Sequence, residues 1–156
     1  MKYIKEYNEY VDPFNEEDWG EVEPDGKFLT WLKINHPDEI KWKDIKEINC
    51  GNQNLTDLIG IDKLIKLEIL NCYDNRLTEL DVSKNINLEY LDCRYNVLSQ
   101  LYVNKNIKLV DLFCSNNELK ELDISKNINL KYLHYNNNYL NELDLSKNIK
   151  LRYVKK

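Results

Sequence analysis

Four cysteines are the side chains of this sequence best suited to metal or redox chemistry. Cys50, Cys72, Cys93 and Cys114 follow one another at intervals of 22, 21 and 21 residues. Zinc motifs bring cysteines together in pairs roughly two to four residues apart, and the sequence contains no such pair. In neighbouring parallel strands these side chains would form a row with steps of about 4.8 Å, poorly aimed for disulfides. We therefore expect four buried free thiols that pack as small apolar groups, and no metal ion.

Two histidines and several adjacent carboxylates are the remaining candidates for acid–base chemistry. His36 precedes Pro37, where a turn is expected, and His134 lies far along the chain with no serine or cysteine nucleophile in evident register. Adjacent acids such as Glu16 and Glu17 are common in solvated loops. We therefore expect no catalytic residue and no cofactor, and predict that the protein is not an enzyme.

A repeat of 21 residues determines where these side chains can lie. One looser copy of 22 residues, four gapless copies and one partial copy cover 45–66, 67–87, 88–108, 109–129, 130–150 and 151–156. Each copy opens with alternating apolar and polar residues, which predicts a short strand with one buried face. A single copy is too small to bury that face alone. Stacked copies must therefore pair their strands into a parallel sheet around one shared core.

The shared pattern, LxxLxCxxNxLxxLDxSKNxx, resembles the leucine-rich-repeat family. Within that family it is similar to the bacterial 21-residue type with a cysteine ladder found in some internalins. The resemblance covers residues 45–156 and implies an α/β-type repeat solenoid with a curved parallel β-sheet on its concave face. Few residues separate the strands, so we expect short extended or 3₁₀ segments on the convex side. The family consists of interaction scaffolds with many unrelated partners, so the fold does not identify a partner.

The ninth position of the repeat holds an asparagine in each of the four gapless copies, where the chain leaves the strand. Its amide can satisfy backbone groups that the turn deprives of strand partners. These asparagines are Asn75, Asn96, Asn117 and Asn138. Further along each copy, residues such as Leu77, Leu80 and Val82 are expected to fill the back of the coil.

Positions three, five, seven and eight of each copy are predicted to line the concave sheet. They vary between copies while the core positions stay nearly constant, which indicates that the fold does not determine them. Tyrosine and arginine are frequent there and are common anchors of protein interfaces. We predict a non-catalytic protein–protein interaction module that binds a partner on this face, the alternative being a solvated, tyrosine-rich sheet. The candidate contact residues are Tyr73, Tyr90, Asp92, Arg94, Tyr95, Asp111, Phe113, Tyr132, His134 and Tyr153.

Residues 1–44 are predicted to form an acidic, tryptophan-bearing helical cap, because a solenoid needs polar ends. Residues 1–26 hold nine acids and two lysines, a net charge of −7, whereas residues 27–156 carry about +2. The apolar spacing predicts one helix that stops before Asp12-Pro13 and a second over Lys27–Asn35. Trp31 and Trp42 are expected in the core of the cap. The acidic loop over residues 15–25 is either solvated or a docking site for a basic partner.

The final strand, at Leu151–Val154, has no predicted cap, so self-assembly through this edge into a homodimer is the alternative function. The net charge of −5 argues against a nucleic-acid partner. No segment approaches the roughly 20 apolar residues of a membrane span. The start of the chain lacks the apolar core of a signal peptide. We therefore expect a cytoplasmic protein with no membrane partner, with delivery into a host cell as an open alternative.

A column of lysines is predicted along the turns that close the repeats, at Lys84, Lys105, Lys126 and Lys147. Such a column could contact phosphate or anionic lipid. Acids such as Glu79 recur nearby, so we expect these lysines to be solvated.

Overall fold

Six short strands, one from each repeat, form a single parallel sheet in the computed structural model, which describes residues 27–156. The strands are β1 Glu47–Asn49, β2 Ile69–Asn71, β3 Tyr90–Asp92, β4 Asp111–Phe113, β5 Tyr132–His134 and β6 Tyr153–Lys155. Their order in the sheet is their order in the chain. Each strand is therefore laid beside the previous one after a single turn of the coil.

The register of the sheet follows the sequence repeat. Leu70 pairs with Leu91, Leu91 with Leu112, and Leu112 with Leu133 in successive parallel ladders. All four side chains are fully buried and belong to one continuous apolar core. The predicted repeat solenoid with adjacent parallel rungs is confirmed.

The convex side of the coil consists of turns and extended chain. Leu77, Leu80 and Val82 are buried there, as the repeat predicts. Within residues 27–156, the connections after β1 contain one 3₁₀ helix, at Ile61–Lys63, and no α-helix. The expectation of short extended or 3₁₀ segments on this side is therefore confirmed.

The asparagines at the ninth position join neighbouring rungs. The side-chain Nδ2 of Asn117 donates to the carbonyl oxygens of Cys93 at 2.9 Å and Cys114 at 3.2 Å. Its Oδ1 accepts from the backbone N–H of Leu98 at 3.0 Å. Asn75, Asn96 and Asn138 make the equivalent contacts to carbonyls of their own and the preceding rung. The predicted role of these amides in satisfying the turn is confirmed.

One helix, α1 at Phe28–Asn35, lies at the start of the described chain, followed by a 3₁₀ helix at Glu39–Asp44. Trp31 and Trp42 are buried as expected, but in one apolar core that they share with the rungs rather than in a separate core of the cap. The predicted first helix and the acidic loop lie outside the described residues. The division of the chain at residue 44 stays a prediction.

The last full rung is less well covered than the others. Tyr135, Leu140, Leu143 and Leu145 are only partly buried, whereas their equivalents in earlier rungs are buried. A cavity of about 450 Å³ opens among these side chains. Self-association through this end stays a prediction.

Candidate functional site

The cysteines form a buried ladder inside the sheet. All four are free thiols with no exposed surface. Burial raises the pKa of each thiol, to about 12 for Cys114, which suppresses the reactive thiolate. The thiols of Cys93 and Cys114 lie 3.5 and 3.4 Å from carbonyl oxygens of the next rung, as weak donors. No group of three or more His, Cys, Asp and Glu side chains in residues 27–156 is arranged to hold a metal ion.

An aromatic row crosses the concave face from β3 to β6. The ring centroids of Tyr90 and Phe113 are 5.5 Å apart, those of Phe113 and His134 4.6 Å, and those of His134 and Tyr153 5.4 Å. All three contacts are edge-to-face, the arrangement that the ring quadrupoles favour. The parallel register therefore brings separate sequence positions into one continuous row of rings, of which Tyr90 and Phe113 are buried and His134 and Tyr153 are partly exposed.

Arg94 forms an ion pair on this face and also lies beside the aromatic row. Its guanidinium donates to both carboxylate oxygens of Asp92 and lies 5.4 Å from the centre of the Phe113 ring. Asp92 is buried, and a bidentate pair holds an arginine in a fixed orientation. Arg94 thus presents a positioned, partly exposed planar cation beside the aromatic row.

The ten predicted contact residues differ in their exposure to solvent. Tyr90, Asp92, Asp111 and Phe113 are buried. Tyr73, Arg94, Tyr132, His134 and Tyr153 are intermediate, and Tyr95 is exposed. Tyr132 and Tyr153 are therefore more accessible to a partner than Tyr90, while partner binding at this face stays a prediction.

Two of the predicted contact positions also serve the backbone. Asp92 accepts from the N–H of Arg94, as Asn49 and Asn71 do from Gly51 and Tyr73 in earlier rungs. At position eight the chain is left-handed, with φ between 53° and 57° at Asn52, Asp74, Tyr95, Asn116 and Asn137. Asparagine and aspartate tolerate that conformation better than other non-glycine residues. Position eight, predicted as a freely varying contact position, is therefore also constrained by the turn, and the recurrence of asparagine and aspartate there is its sequence signal.

Asp111 stands out on this face because its carboxyl group is buried. The residue is 5% exposed, and Oδ1 has no hydrogen-bond partner among the described residues. In the sheet it lies between Tyr90 of β3 and Tyr132 of β5. Burial raises the pKa of this carboxyl from 3.8 to about 7. The centre of the face therefore holds an acid that gains or loses its proton near neutral pH.

Asp111 is expected to make the folded state less stable as pH rises from about 4 to about 7. In that window the folded protein keeps a proton on Asp111 that the unfolded chain has already released, so raising the pH favours unfolding. Urea unfolding across this range should show the Asp111→Asn variant gaining stability relative to the parent, by about 2–4 kcal/mol at pH 8. A difference between the two proteins that stays constant with pH would contradict the raised pKa.

His134 has the opposite effect on the pH dependence of stability, so both proteins in that comparison must keep this histidine. Burial lowers its pKa to about 4, so the folded protein holds less charge than the unfolded chain between about 4 and 6.5. Its contribution to stability therefore rises with pH over this window. His134 contacts Phe113 and Tyr153 in the aromatic row, which is a packing role.

Three solved structures with the same architecture come from bacteria. Internalin C2 of Listeria monocytogenes is 22% identical, with a TM-score of 0.70 over 72% of this chain and 51% of that one. Internalin F of the same organism is 24% identical, with a TM-score of 0.65 over 70% of this chain and 34% of that one. A leucine-rich-repeat protein of Leptospira interrogans is 29% identical, with a TM-score of 0.69 over 72% of this chain and 31% of that one.

These likenesses establish the leucine-rich-repeat fold and confirm the resemblance to internalins. The chain spans between about a third and a half of the length of the structures that it matches. Neither the family models nor the curated protein sequences that were compared match the chain. Among residues 27–156, no helix has the length and apolar character needed to cross a bilayer.

Proposed function

We propose that this leucine-rich-repeat chain is a non-catalytic module that binds a protein partner on its concave sheet face. The observation that carries the proposal is the partly exposed end of the aromatic row, at His134 and Tyr153 beside Tyr132, with the partly exposed Arg94 held in place by Asp92. The residue types at these positions change from rung to rung, while the inward position between them stays aliphatic, as Ile48, Leu70, Leu91, Leu112, Leu133 and Val154. Aromatic and arginine side chains supply large contact areas with little loss of side-chain entropy on binding.

The size of the face limits the kind of partner. Six strands at about 4.8 Å spacing give a width of roughly 24 Å. That width accommodates a helix, a loop or the edge of a small domain. It is marginal for a standard interface of about 800 Å² on each partner. The module is therefore suited to binding a compact protruding element.

Tyr132→Ala is expected to abolish partner binding and to leave the melting temperature nearly unchanged. Tyr132 lies on β5 with intermediate exposure, so its ring is available to a partner and contributes little to the core. The measurement is affinity capture from extract of the source cell on the immobilised full-length chain, with bound proteins quantified by mass spectrometry. Tyr102→Ala is the matched control, because Tyr102 is 65% exposed and lies outside the concave positions.

A protein captured by the parent and by Tyr102→Ala, but lost with Tyr132→Ala, supports the proposal. Equal capture by all three chains, or a parallel loss of binding and folding, contradicts it. Tyr90 is a poor probe, contrary to the expectation from sequence. It is 5% exposed and packs against Phe113, so its truncation also removes buried contacts and should lower the melting temperature.

The buried free thiols are relevant to the cellular compartment in which the module acts. Four unpaired cysteines are compatible with a reducing compartment, which favours the cytoplasm. A cytoplasmic location and the absence of a nucleic-acid partner remain part of this proposal.

A further inference from the structure

A column of isoleucines on the turns that close the rungs has no role in the core. Ile65, Ile86, Ile107, Ile128 and Ile149 occupy the same position in five successive rungs. Each is more than half exposed to solvent. Single exposed apolar residues are ordinary, but a run of identical ones on one surface requires a physical explanation.

Buried asparagines fix the geometry of this column. The side chain of Asn106 donates at 2.9 Å to the carbonyl oxygens of Val82 and Asn85 in the preceding rung. Asn127 repeats the contacts to Val103 and Asn106 at 2.9 Å, and Asn85 and Asn148 extend the series to either side. Because each asparagine points inward, the lysine before it and the isoleucine after it lie on the outer surface.

The isoleucines form a continuous ridge rather than isolated points. Exposure is between 51% and 55% for Ile65, Ile86, Ile107 and Ile128, but 87% for Ile149. Ile149 is the member of the column that no following described rung covers. The difference of 32 to 36 percentage points indicates that the next rung covers about a third of each of the other isoleucines. The isoleucines therefore form one column along the described rungs, with about 4.8 Å between neighbours.

Lysines border the ridge. The residue two positions before each isoleucine is Lys63, Lys84, Lys105, Lys126 or Lys147, and all five are exposed. None of the last four forms a salt bridge with another residue of the described part of the chain. On the other side, the residue after the isoleucine is a lysine in alternate rungs, at Lys66, Lys108 and Lys150.

Three of the acids near these lysines accept backbone hydrogen bonds within the turns. Asp81, Asp123 and Asp144 accept from the backbone N–H of Ser83, Ser125 and Ser146 at 2.8–2.9 Å. In each of these three rungs the aspartate precedes the lysine in the chain, and the isoleucine follows the lysine. The third rung has Tyr102 at the equivalent position, so Lys105 has no such acid. With Asp44, Asp62 and the recurring Glu79, Glu121 and Glu142 included, the acids nearby number eight, as many as the lysines. The recurring lysines lie one or two residues from the isoleucines, whereas these glutamates lie seven residues before them, so lysines rather than acids border the ridge directly.

We propose that this lysine-bordered isoleucine ridge binds the surface of an anionic lipid bilayer, which replaces the expectation from sequence that the lysines are only solvated and that the chain has no membrane partner. The same residues recur in every rung at a constant pitch, so the ridge suits a uniform surface rather than one particular protein shape. A second copy of the chain is disfavoured, because a symmetric contact would bring lysine columns together. Anionic headgroups attract the lysines, and the isoleucines gain by burial at the acyl boundary. This surface is separate from the concave face, so the inference is independent of the proposed partner.

The test is co-sedimentation of the full-length chain with vesicles. We expect binding to vesicles of phosphatidylcholine containing phosphatidylserine, and at least about tenfold weaker binding to phosphatidylcholine alone. Raising salt to about 1 M, where the screening length falls to about 3 Å, should remove most of the binding. A triple variant with Ile86→Thr, Ile107→Thr and Ile128→Thr should bind about tenfold less, and so should Lys84→Gln, Lys105→Gln and Lys126→Gln combined.

Matched controls separate the ridge from general charge and stability. The triple variant of Lys43→Gln, Lys120→Gln and Lys156→Gln removes the same charge from exposed lysines outside the ridge that form no salt bridge with another described residue, and it should bind like the parent. Ile34→Thr, at another exposed isoleucine, should also bind like the parent. Circular dichroism confirms that each variant is folded before its binding is compared.

Failure of the folded parent to sediment with phosphatidylserine vesicles at low salt overturns the proposal. Equal loss of binding in the ridge variants and the control variants also overturns it. So does capture of an acidic protein through the ridge without any vesicle binding. The Tyr132→Ala variant should bind vesicles like the parent, so failure of this inference is distinguishable from failure of the concave-face proposal.

Discussion

Asn117→Ala should lower the free energy of unfolding by about 2–4 kcal/mol. The backbone N–H of Leu98 donates to Asn117 Oδ1 in the buried interior, and alanine leaves that donor without an acceptor. The carbonyl oxygens of Cys93 and Cys114 each lose one hydrogen-bond donor but keep another, because Asn96 and Asn138 also donate to them. A small cavity adds to the cost. Such a loss is a large part of the roughly 5–15 kcal/mol that stabilises a typical domain.

Urea unfolding at equilibrium measures this loss, with Asn104→Ala as the control. Asn104 is exposed in a turn, so its truncation should change the unfolding free energy by less than about 0.5 kcal/mol. Equal effects of the two substitutions would show that the inter-rung amide contacts contribute nothing specific. The same comparison between Asn96→Ala and Asn104→Ala tests the neighbouring rung.

The four thiols should react with a disulfide reagent at least about 10³-fold more slowly in the folded protein than in urea. Each sulfur is fully buried, and its raised pKa suppresses the thiolate that such reagents attack. Labelling therefore requires local or global unfolding that exposes the thiols to the reagent. The rate of colour release from an aromatic disulfide at pH 8 gives the measurement directly.

An added cysteine provides the internal standard for that rate. Asn104→Cys places one exposed thiol on the folded protein, which should react at the rate of a small free thiol. Rapid reaction of any native cysteine in a folded sample would contradict burial of the ladder. The position of such a cysteine would also identify the rung that opens first.

The sequence predicts the rungs well because the same physical requirement recurs in each of them. Leu91 and Cys93 must be buried in every copy, and the spacing of 21 residues leaves one way to stack them. Asn96 is equally predictable, because an amide at a strand exit has few alternatives to bonding the backbone. The helix at Phe28–Asn35 follows from the spacing of three apolar residues, all of which are buried.

The surfaces are less predictable from sequence than the core. Alternation along a strand indicates that Phe113 and Asp111 face away from the core, but not that both are buried on the concave side. That burial depends on contacts between strands, such as Arg94 over the Phe113 ring, which no single repeat encodes. The isoleucine ridge is hard to predict because a recurring apolar residue in a repeat usually belongs to the core. Its exposure follows from the inward asparagine beside it.

Pairing in chain order has a consequence for how such a protein changes over time. Each turn of the coil contacts only the turns before and after it, and offers them nearly the same donors, acceptors and leucines. Duplicating or deleting the codons for one unit would therefore leave the junctions on both sides chemically complete. Gene length can drift in whole units, and every unit gained adds about 4.8 Å to the width of the sheet.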